Sequence, residues 1–282
     1  MKVTLAEPRG FCAGVNRAIN ILNNLVNQTR EPIYVYHEIV HNTWIARSFE
    51  RRGVVFIDSI DMAPDGATLL FSAHGVSPQI REIAAQRNMN TIDATCPLVH
   101  RIHLQMHIFV ESGKHVILIG KKGHDEVVGV LDEAANNATL ISCKEDVESL
   151  NFAPDQPLTY LTQTTLTVAE VEEIVAALKT RFPQLQEPGN SGICDATQSR
   201  QDAVRRLAPG HDVVLVVGSQ NSSNSRRLAE IAQSVGVPAY LVDGVNDIPW
   251  GKLTPNSSVL LTAGASAPES VVQMCAQFLR DV

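Results

Sequence analysis

The sequence predicts an α/β protein made of three similar small domains, each a mostly parallel sheet covered by helices. Three observations carry this. Short apolar strands alternate with amphipathic helices throughout the chain, the strands end in polar loops on a recurring plan, and three of five cysteines keep step with that plan. At 282 residues the chain also exceeds what one hydrophobic core usually organises.

Taken in chain order, Cys12 lies in Arg-Gly-Phe-Cys-Ala-Gly, ahead of a helical stripe of Ala18, Ile21, Leu22 and Leu25. A strand at Tyr34–Tyr36 runs into His37-Glu-Ile-Val-His41, and Asn42 reads as the cap of a helix beginning near Thr43. The strand Leu69–Phe71 ends at Ser-Ala-His74-Gly. Cys96, in Asp93-Ala-Thr-Cys96-Pro97, precedes a stripe of Val99, Ile102, Met106 and Val110. Val116–Ile119 leads to Gly-Lys-Lys-Gly-His124-Asp-Glu126, and Leu158–Leu161 leads to Thr-Gln-Thr164-Thr165. Thr167-x-x-Glu170 is a capping box for a helix carrying Val171, Ile174, Val175 and Leu178. Cys194 reads as a strand–loop junction. Val213–Val217 leads to Gly-Ser-Gln-Asn-Ser222-Ser223-Asn224, followed by a stripe of Leu228, Ile231, Ala232 and Val235 that Gly236 ends. Val259–Leu261 leads to Thr-Ala-Gly-Ala-Ser266.

The spacings repeat. Cys12 to Cys96 is 84 residues and Cys96 to Cys194 is 98; His41 to His124 is 83 and His124 to Ser222 is 98; His74 to Thr164 is 90 and Thr164 to Ser266 is 102. Each unit thus supplies one cysteine and two polar strand ends. Parallel sheets bind ligands at the carboxyl ends of their strands. Three such units around a pseudo-threefold axis would aim three thiols and six polar loops at one central cavity.

The remaining cysteines differ. Cys275 falls on a helical face with Val271, Met274 and Phe278, so it reads as core, and Cys143 has no counterpart in the repeat and reads as structural. Three converging thiolates could hold zinc or an iron–sulfur cluster. With no C-x-x-C pair, spacing alone is as consistent with a shared metal site as with three unrelated thiols. The Ser/Asn-rich segment Gly218–Ser225 and Ser266-Ala-Pro-Glu269 each have two readings, a phosphate cradle or a helix cap. Their recurrence at matched strand ends favours binding. His37-Glu38-x-x-His41 matches the H-E-x-x-H zinc motif, but that motif requires a helix where a strand end is expected here. His100, His103 and His107 sit at helical spacing and read as a solvated or half-buried face.

Composition narrows the function. A net charge of −7 argues against a nucleic-acid partner. The apolar runs are strand-sized and no signal-peptide core precedes Phe11, so the expectation is a cytoplasmic protein with no membrane partner.

The motifs Pro-Arg-Gly-Phe-Cys12-Ala-Gly-Val, Ser-Ala-His74-Gly-Val-Ser, Asp-Ala-Thr-Cys96-Pro-Leu-Val, Thr-Gln-Thr164-Thr-Leu, Gly-Ser-x-Asn-Ser222-Ser-Asn224-Ser and Thr-Ala-Gly-Ala-Ser266-Ala-Pro closely resemble those of the 4-hydroxy-3-methylbut-2-enyl diphosphate reductases, the IspH or LytB family. The resemblance runs from Met1 to about Leu279. It implies a trefoil of three α/β domains, expected at 14–95, 96–190 and 1–13 with 191–282, around a [4Fe–4S] cluster held by Cys12, Cys96 and Cys194. It places the substrate diphosphate on His41, His74, His124, Ser222, Ser223, Asn224 and Ser266, with Thr164 near the substrate hydroxyl and Glu126, backed by Thr164 and His124, as proton donor. Gln220 and the stretch Val127–Leu131 depart from the family pattern without touching a ligand. The implied reaction removes the hydroxyl reductively to give isopentenyl and dimethylallyl diphosphate in the non-mevalonate isoprenoid pathway. No dinucleotide G-x-G-x-x-G follows a strand, which argues against direct use of NADPH. The sequence itself does not identify the electron donor; the resemblance implies a ferredoxin- or flavodoxin-type partner. The rivals are a zinc hydrolase built on His37, Glu38 and His41, which predicts bound zinc, and an iron–sulfur redox sensor, which predicts a cluster without diphosphate turnover.

Overall fold

A computed structural model describes residues 1–190 and 192–281. The expected domain limits at 191 and 282 fall on residues outside these. The chain divides into two compact units, one of Met1–Asn16, Val40–Arg52 and Asp195–Val282, the other of Arg17–Ile39 and Gly53–Cys194. Strands and helices are numbered along the chain.

The first unit contains one sheet. Strand β1 (Lys2–Leu5) lies at its edge, and the order is β1-β12-β10-β11, with β10 at Val213–Val217, β11 at Ala239–Val242 and β12 at Ser258–Ala263. All its pairings are parallel. β10 reads Val-Val-Leu-Val-Val and is buried along its whole length, the continuous apolar run expected of a parallel strand covered on both faces. Val213, Leu215 and Val217 face a cluster with Val271, Val272, Cys275, Ala276 and Leu279 of the last helix. Val214 and Val216 face the opposite cluster, with Val204, Leu228 and Ile231. Truncating Leu215 to Ala would cost about 2–5 kcal/mol.

The second unit contains two sheets of the same plan. One has the order β3-β2-β4-β5, from β2 (Ile33–Tyr36), β3 (Val54–Ile57), β4 (Thr68–Phe71) and β5 (Asn90–Asp93). The other has the order β7-β6-β8-β9, from β6 (His115–Ile119), β7 (Ala138–Ile141), β8 (Leu158–Thr162) and β9 (Leu185–Gln186). These pairings are parallel as well. The structure is therefore α/β with three parallel four-stranded sheets, as the alternating pattern predicts.

In each sheet the chain leaves a central pair in opposite directions. β2 is followed outward by β3 on one side and β4 by β5 on the other; β6 and β8 behave alike, and in the third sheet β1 takes beside β12 the place that β5 and β9 take beside β4 and β8. Ligand crevices of open α/β sheets form where the direction reverses, beyond the carboxyl ends of that central pair. The six polar loops follow these central strands.

The helices are α1 (Ala13–Gln28), α2 (Thr43–Glu50), α3 (Pro78–Gln86), α4 (Pro97–Glu111), α5 (Asp125–Asp132), α6 (Val168–Arg181), α7 (Asp195–Leu207), α8 (Ser223–Ser234) and α9 (Glu269–Asp281). Among the described residues none is long and apolar enough to cross a membrane. Asn42 caps α2 by accepting from the Ile45 N–H at 3.0 Å, and Thr167 and Glu170 form the reciprocal capping box on α6. On α9 the buried stripe differs from expectation. Cys275 is core, but its companions are Val271, Val272, Ala276 and Leu279, whereas Met274 and Phe278 are exposed, with the Phe278 ring turned toward Trp250.

Candidate active site

Three cysteines occupy equivalent places. Cys12 directly precedes α1, Cys96 precedes α4 with Pro97 as its first residue, and Cys194 precedes α7. Cys194 thus heads a helix and is not the strand–loop junction expected from sequence. Each cysteine N–H donates to a carbonyl two residues past the second central strand of a sheet: Cys12 to Ala265 at 3.2 Å, Cys96 to Ala73 at 3.0 Å and Cys194 to Thr164 at 3.2 Å. All three are half-buried, outside disulfides and placed at the start of a helix. Cys275 lacks these features, since burial, reinforced by the Asp247 charge, pushes its thiol up to about 11. Cys12, Cys96 and Cys194 thus each present a half-buried thiol at the start of a helix, donor chemistry that fits a thiolate-bound group, whereas Cys143 is exposed and Cys275 is core.

In the unit of residues 17–39 and 53–194, α5 begins directly beyond the loop after β6, and its first turn is charged. His124 is its N-cap, with Nδ1 accepting from the Glu126 N–H at 3.2 Å. Glu126 is only 3% exposed. Its carboxylate is held by one residue of the neighbouring β8 loop: Thr164 donates from its N–H to Oε1 at 2.7 Å and from its hydroxyl to Oε2 at 2.8 Å. A buried carboxylate is costly unless hydrogen-bonded, and here both oxygens are engaged. The His74 ring, from the β4 loop, lies 6.1 Å from the His124 ring, edge to face. His74 Nδ1 also faces Ser72 Oγ at 3.4 Å and Asp125 at 4.0 Å. The sequence motifs thus bring His74, His124, Glu126 and Thr164 together in this unit, joined by Asp125, which carried no signal of its own.

In the unit containing β10 and β12, Ser222 caps α8, its Oγ accepting from the Ser225 N–H at 3.3 Å and from Ser225 Oγ at 2.9 Å. The capping reading of this segment is correct for Ser222, but it does not extend to its neighbours. Ser223 Oγ and both amide atoms of Asn224 are buried without a hydrogen-bond partner. Natural proteins rarely leave such groups unpaired; an acceptor-rich group would satisfy the Ser223 hydroxyl and the Asn224 Nδ2–H, whereas Asn224 Oδ1 needs a donor. Space for this turn comes from Gly218 and Gly264, where a Cβ would approach Ser225 Oγ to 2.3 and 2.0 Å. Ser225 is fully buried and was missed in the sequence reading, although glycines closing both strand ends are a signal for such close approach.

Of the two readings of Ser266, the structure removes the helix cap. Ser266 forms no capping box, because α9 starts at Glu269, whose carboxylate is taken by Arg9 at 2.6 Å. The Ser266 hydroxyl instead donates to the His41 carbonyl at 2.9 Å, tying the β12 loop to the His41 segment. A second tie has no sequence signature. Thr43 donates from its N–H to Ser219 Oγ at 2.9 Å and from its hydroxyl to Asp243 at 2.8 Å, and Ser219 also bonds Asp243.

The zinc-protease motif fails on geometry. Residues 37–42 form no helix, α2 begins at Thr43, and His37 adopts a left-handed φ of 58°, so the i, i+4 face required of H-E-x-x-H does not exist. His103 is buried and paired with Glu133 at 2.7 Å, contrary to the solvated or half-buried face expected for it.

These features define a class, the parallel α/β proteins that carry polar side chains and helix-heading thiols beyond the carboxyl ends of their central strands. The family model described as LytB protein matches residues 3–280. A 4-hydroxy-3-methylbut-2-enyl diphosphate reductase of Rhodopirellula baltica is 49% identical over 281 residues, covering 100% of this chain and 88% of that protein. The enzyme of the same name from Bordetella pertussis is 48% identical, with 100% and 86% covered. The solved E-1-hydroxy-2-methyl-but-2-enyl-4-diphosphate reductase of Plasmodium falciparum matches with a TM-score of 0.95 at 40% identity, over 99% of this chain and 87% of that one. A second solved reductase, described as the terminal enzyme of the non-mevalonate pathway, matches all of both chains with a TM-score of 0.71 at 26% identity. The chain belongs to the LytB family and is an enzyme of it.

Proposed function

We propose that this chain is the reductase that removes the hydroxyl of 4-hydroxy-3-methylbut-2-enyl diphosphate, yielding isopentenyl and dimethylallyl diphosphate as the last step of the non-mevalonate pathway. The observation that carries the reading is the buried Glu126–Thr164 pair, a carboxyl group held by two short hydrogen bonds beside the His74 and His124 rings. The names of relatives spanning the whole chain supply the substrate class.

Cys12, Cys96 and Cys194 would hold a [4Fe–4S] cluster, which when bound supplies the electrons and a Lewis-acidic iron for the substrate oxygen. The protein's own residues account for the remainder. His41, His74 and His124, with Ser222, Ser223, Asn224 and Ser266, bind the diphosphate, whose oxygens accept from the otherwise unpaired Asn224 Nδ2–H and Ser223 hydroxyl. Neutral donors and helix N-termini in place of an arginine cluster suit an anion site in a protein of net charge −7. Glu126 delivers the proton that lets the hydroxyl depart as water. As the acid, its Oε2–H donates to Thr164 Oγ1 in reversal of the bond seen here, and the Thr164 hydroxyl hydrogen is turned to the substrate oxygen. The reaction consumes two electrons and two protons, one leaving in the water and one ending on either terminus of the allylic carbon chain, which gives the two products. A small ferredoxin or flavodoxin supplies the electrons. The chain works in the cytoplasm without a nucleic-acid or membrane partner.

The test is iron, acid-labile sulfide and zinc per chain after anaerobic purification, followed by turnover of the diphosphate. About four irons and four sulfides without zinc are expected. Zinc without sulfide, or a loaded cluster with no turnover, would overturn the proposal.

A further inference from the structure

Behind the His74 loop lies a buried side-chain group that the reaction leaves unused. His103 projects from α4 with its Nδ1 2.7 Å from Glu133 Oε1, and His107, one turn further on, places its Nε2 2.9 Å from the other oxygen of the same carboxylate. His103 and Glu133 side chains are each 8% exposed. A carboxylate only accepts, so Nδ1 carries the proton and the ring's orientation is set.

The opposite edge of that ring enters a slot cut by two glycines. A Cβ on Gly75, the residue after His74, would lie 2.9 Å from His103 Nε2, and a Cβ on Gly129 of α5 would lie 3.3 Å from His103 Cε1. The ring therefore fills the space between the loop bearing His74 and the helix whose first turn bears His124 and Glu126. Nε2 is buried there without a hydrogen-bond partner. Were filling the only task, an apolar side chain would do it with no unsatisfied nitrogen. What the imidazole adds is a planar wedge locked at its far edge by Glu133.

We propose that His103 is a positioning residue, which, clamped by Glu133 and His107 and wedged between Gly75 and Gly129, sets the separation of His74 from His124 and Glu126. The anion ligand and the proton donor are thereby held at one spacing. The consequence for turnover rests on the function proposed above; the geometric claim does not.

The experiment follows the two rings directly, by NMR of the His74 and His124 ring protons in anaerobically prepared protein. In His103→Leu the His74 resonances should move or broaden while the protein stays folded, and His103→Asn, which restores a donor at the Nδ1 position, should return them. Gly129→Ala gives a second route if His103→Leu fails to fold. It raises helix propensity, so a merely structural role predicts an unchanged or higher Tm with unmoved His74 signals, whereas the wedge predicts displaced His74 signals at that same Tm. Unmoved His74 resonances in both His103→Leu and Gly129→Ala would overturn the proposal. Pyrophosphate titration then separates the two readings. With wild type binding, a Kd raised roughly tenfold in His103→Leu and recovered in His103→Asn is the functional counterpart, and an unchanged Kd would overturn control of the anion site. Failure of wild type to bind pyrophosphate would count against the function proposed above, with the ring signals still deciding the wedge.

Discussion

Two polar clusters at strand ends are finished to different degrees. At the β6 and β8 loops every oxygen of Glu126 has a donor from Thr164, and His124 accepts from the Glu126 N–H. At the β10 loop Ser222 is satisfied within its own turn, but Ser223 Oγ and both Asn224 amide atoms are buried with no partner. A carboxyl group with both oxygens engaged is held at one place through a reaction, as a proton carrier requires. An open one is complete only when something else arrives, as a ligand site requires. On the proposed function, the same strand-end architecture would serve chemistry in one place and binding in another.

The largest break in this comparison comes from Glu126→Gln. The amide keeps the shape and still accepts from Thr164, but it carries no acidic proton. Turnover should fall about 10²–10⁴-fold, with pyrophosphate affinity and iron content unchanged. Near-normal turnover would remove Glu126 from the donor role.

Two near-isosteric substitutions should then move in opposite senses. Thr164→Val leaves Glu126 Oε2 without its donor, so urea unfolding should show a loss of about 1.5–3 kcal/mol, the range for hydrogen bonds to charged groups. Asn224→Leu deletes two unsatisfied groups, each costing on the order of 1–3 kcal/mol when buried. Its stability should hold or rise, while pyrophosphate binding weakens at least roughly tenfold. A large stability loss in Asn224→Leu would mean that the amide has a structural partner and that the open cluster is closed after all.

The repeat spacing exposed most of this architecture because strand, polar loop and helix are local events. Val213–Val217 announces a buried parallel strand by composition, and the Ser222–Asn224 turn announces a helix start. What escaped depends on residues far apart in the chain. Ser266-x-x-Glu269 has the letters of a capping box, yet Arg9, 260 positions away, takes the Glu269 carboxylate, and Ser266 bonds His41. Asp243 meets Thr43 across 200 positions with no motif at either. His103 reads as a helix-surface histidine until Glu133 and the two glycines beside it are in place. Cys275 was legible as core because its neighbours at helical spacing are apolar, although Met274 and Phe278 proved to be outside the stripe. Cys275→Ser should therefore lower stability by about 1–3 kcal/mol through burial of a hydroxyl and leave iron content at the wild-type value. Lost iron would place Cys275 among the ligands.

Asp93, on the segment leading to Cys96, extends the comparison to a paired carboxylate that remains partly open to water. Burial by itself would push its carboxyl up, but hydrogen bonds from Thr95 and the charge of Arg81 outweigh that and hold it below the ordinary value. Its side chain is 40% exposed and the Arg81 guanidinium lies 2.9 Å away. A depressed carboxyl binds fewer protons folded than unfolded, so its contribution is present above the unfolded value of about 3.9 and disappears as pH falls through the lower folded value. Solvent screening keeps it small, on the order of 0.2–1 kcal/mol. Asp93→Asn should accordingly be less stable than wild type by that amount near neutral pH in urea titrations. The two should converge once the pH drops below both values. A constant gap at all pH values would assign the effect to packing around Thr95 and leave proton linkage with no part in it.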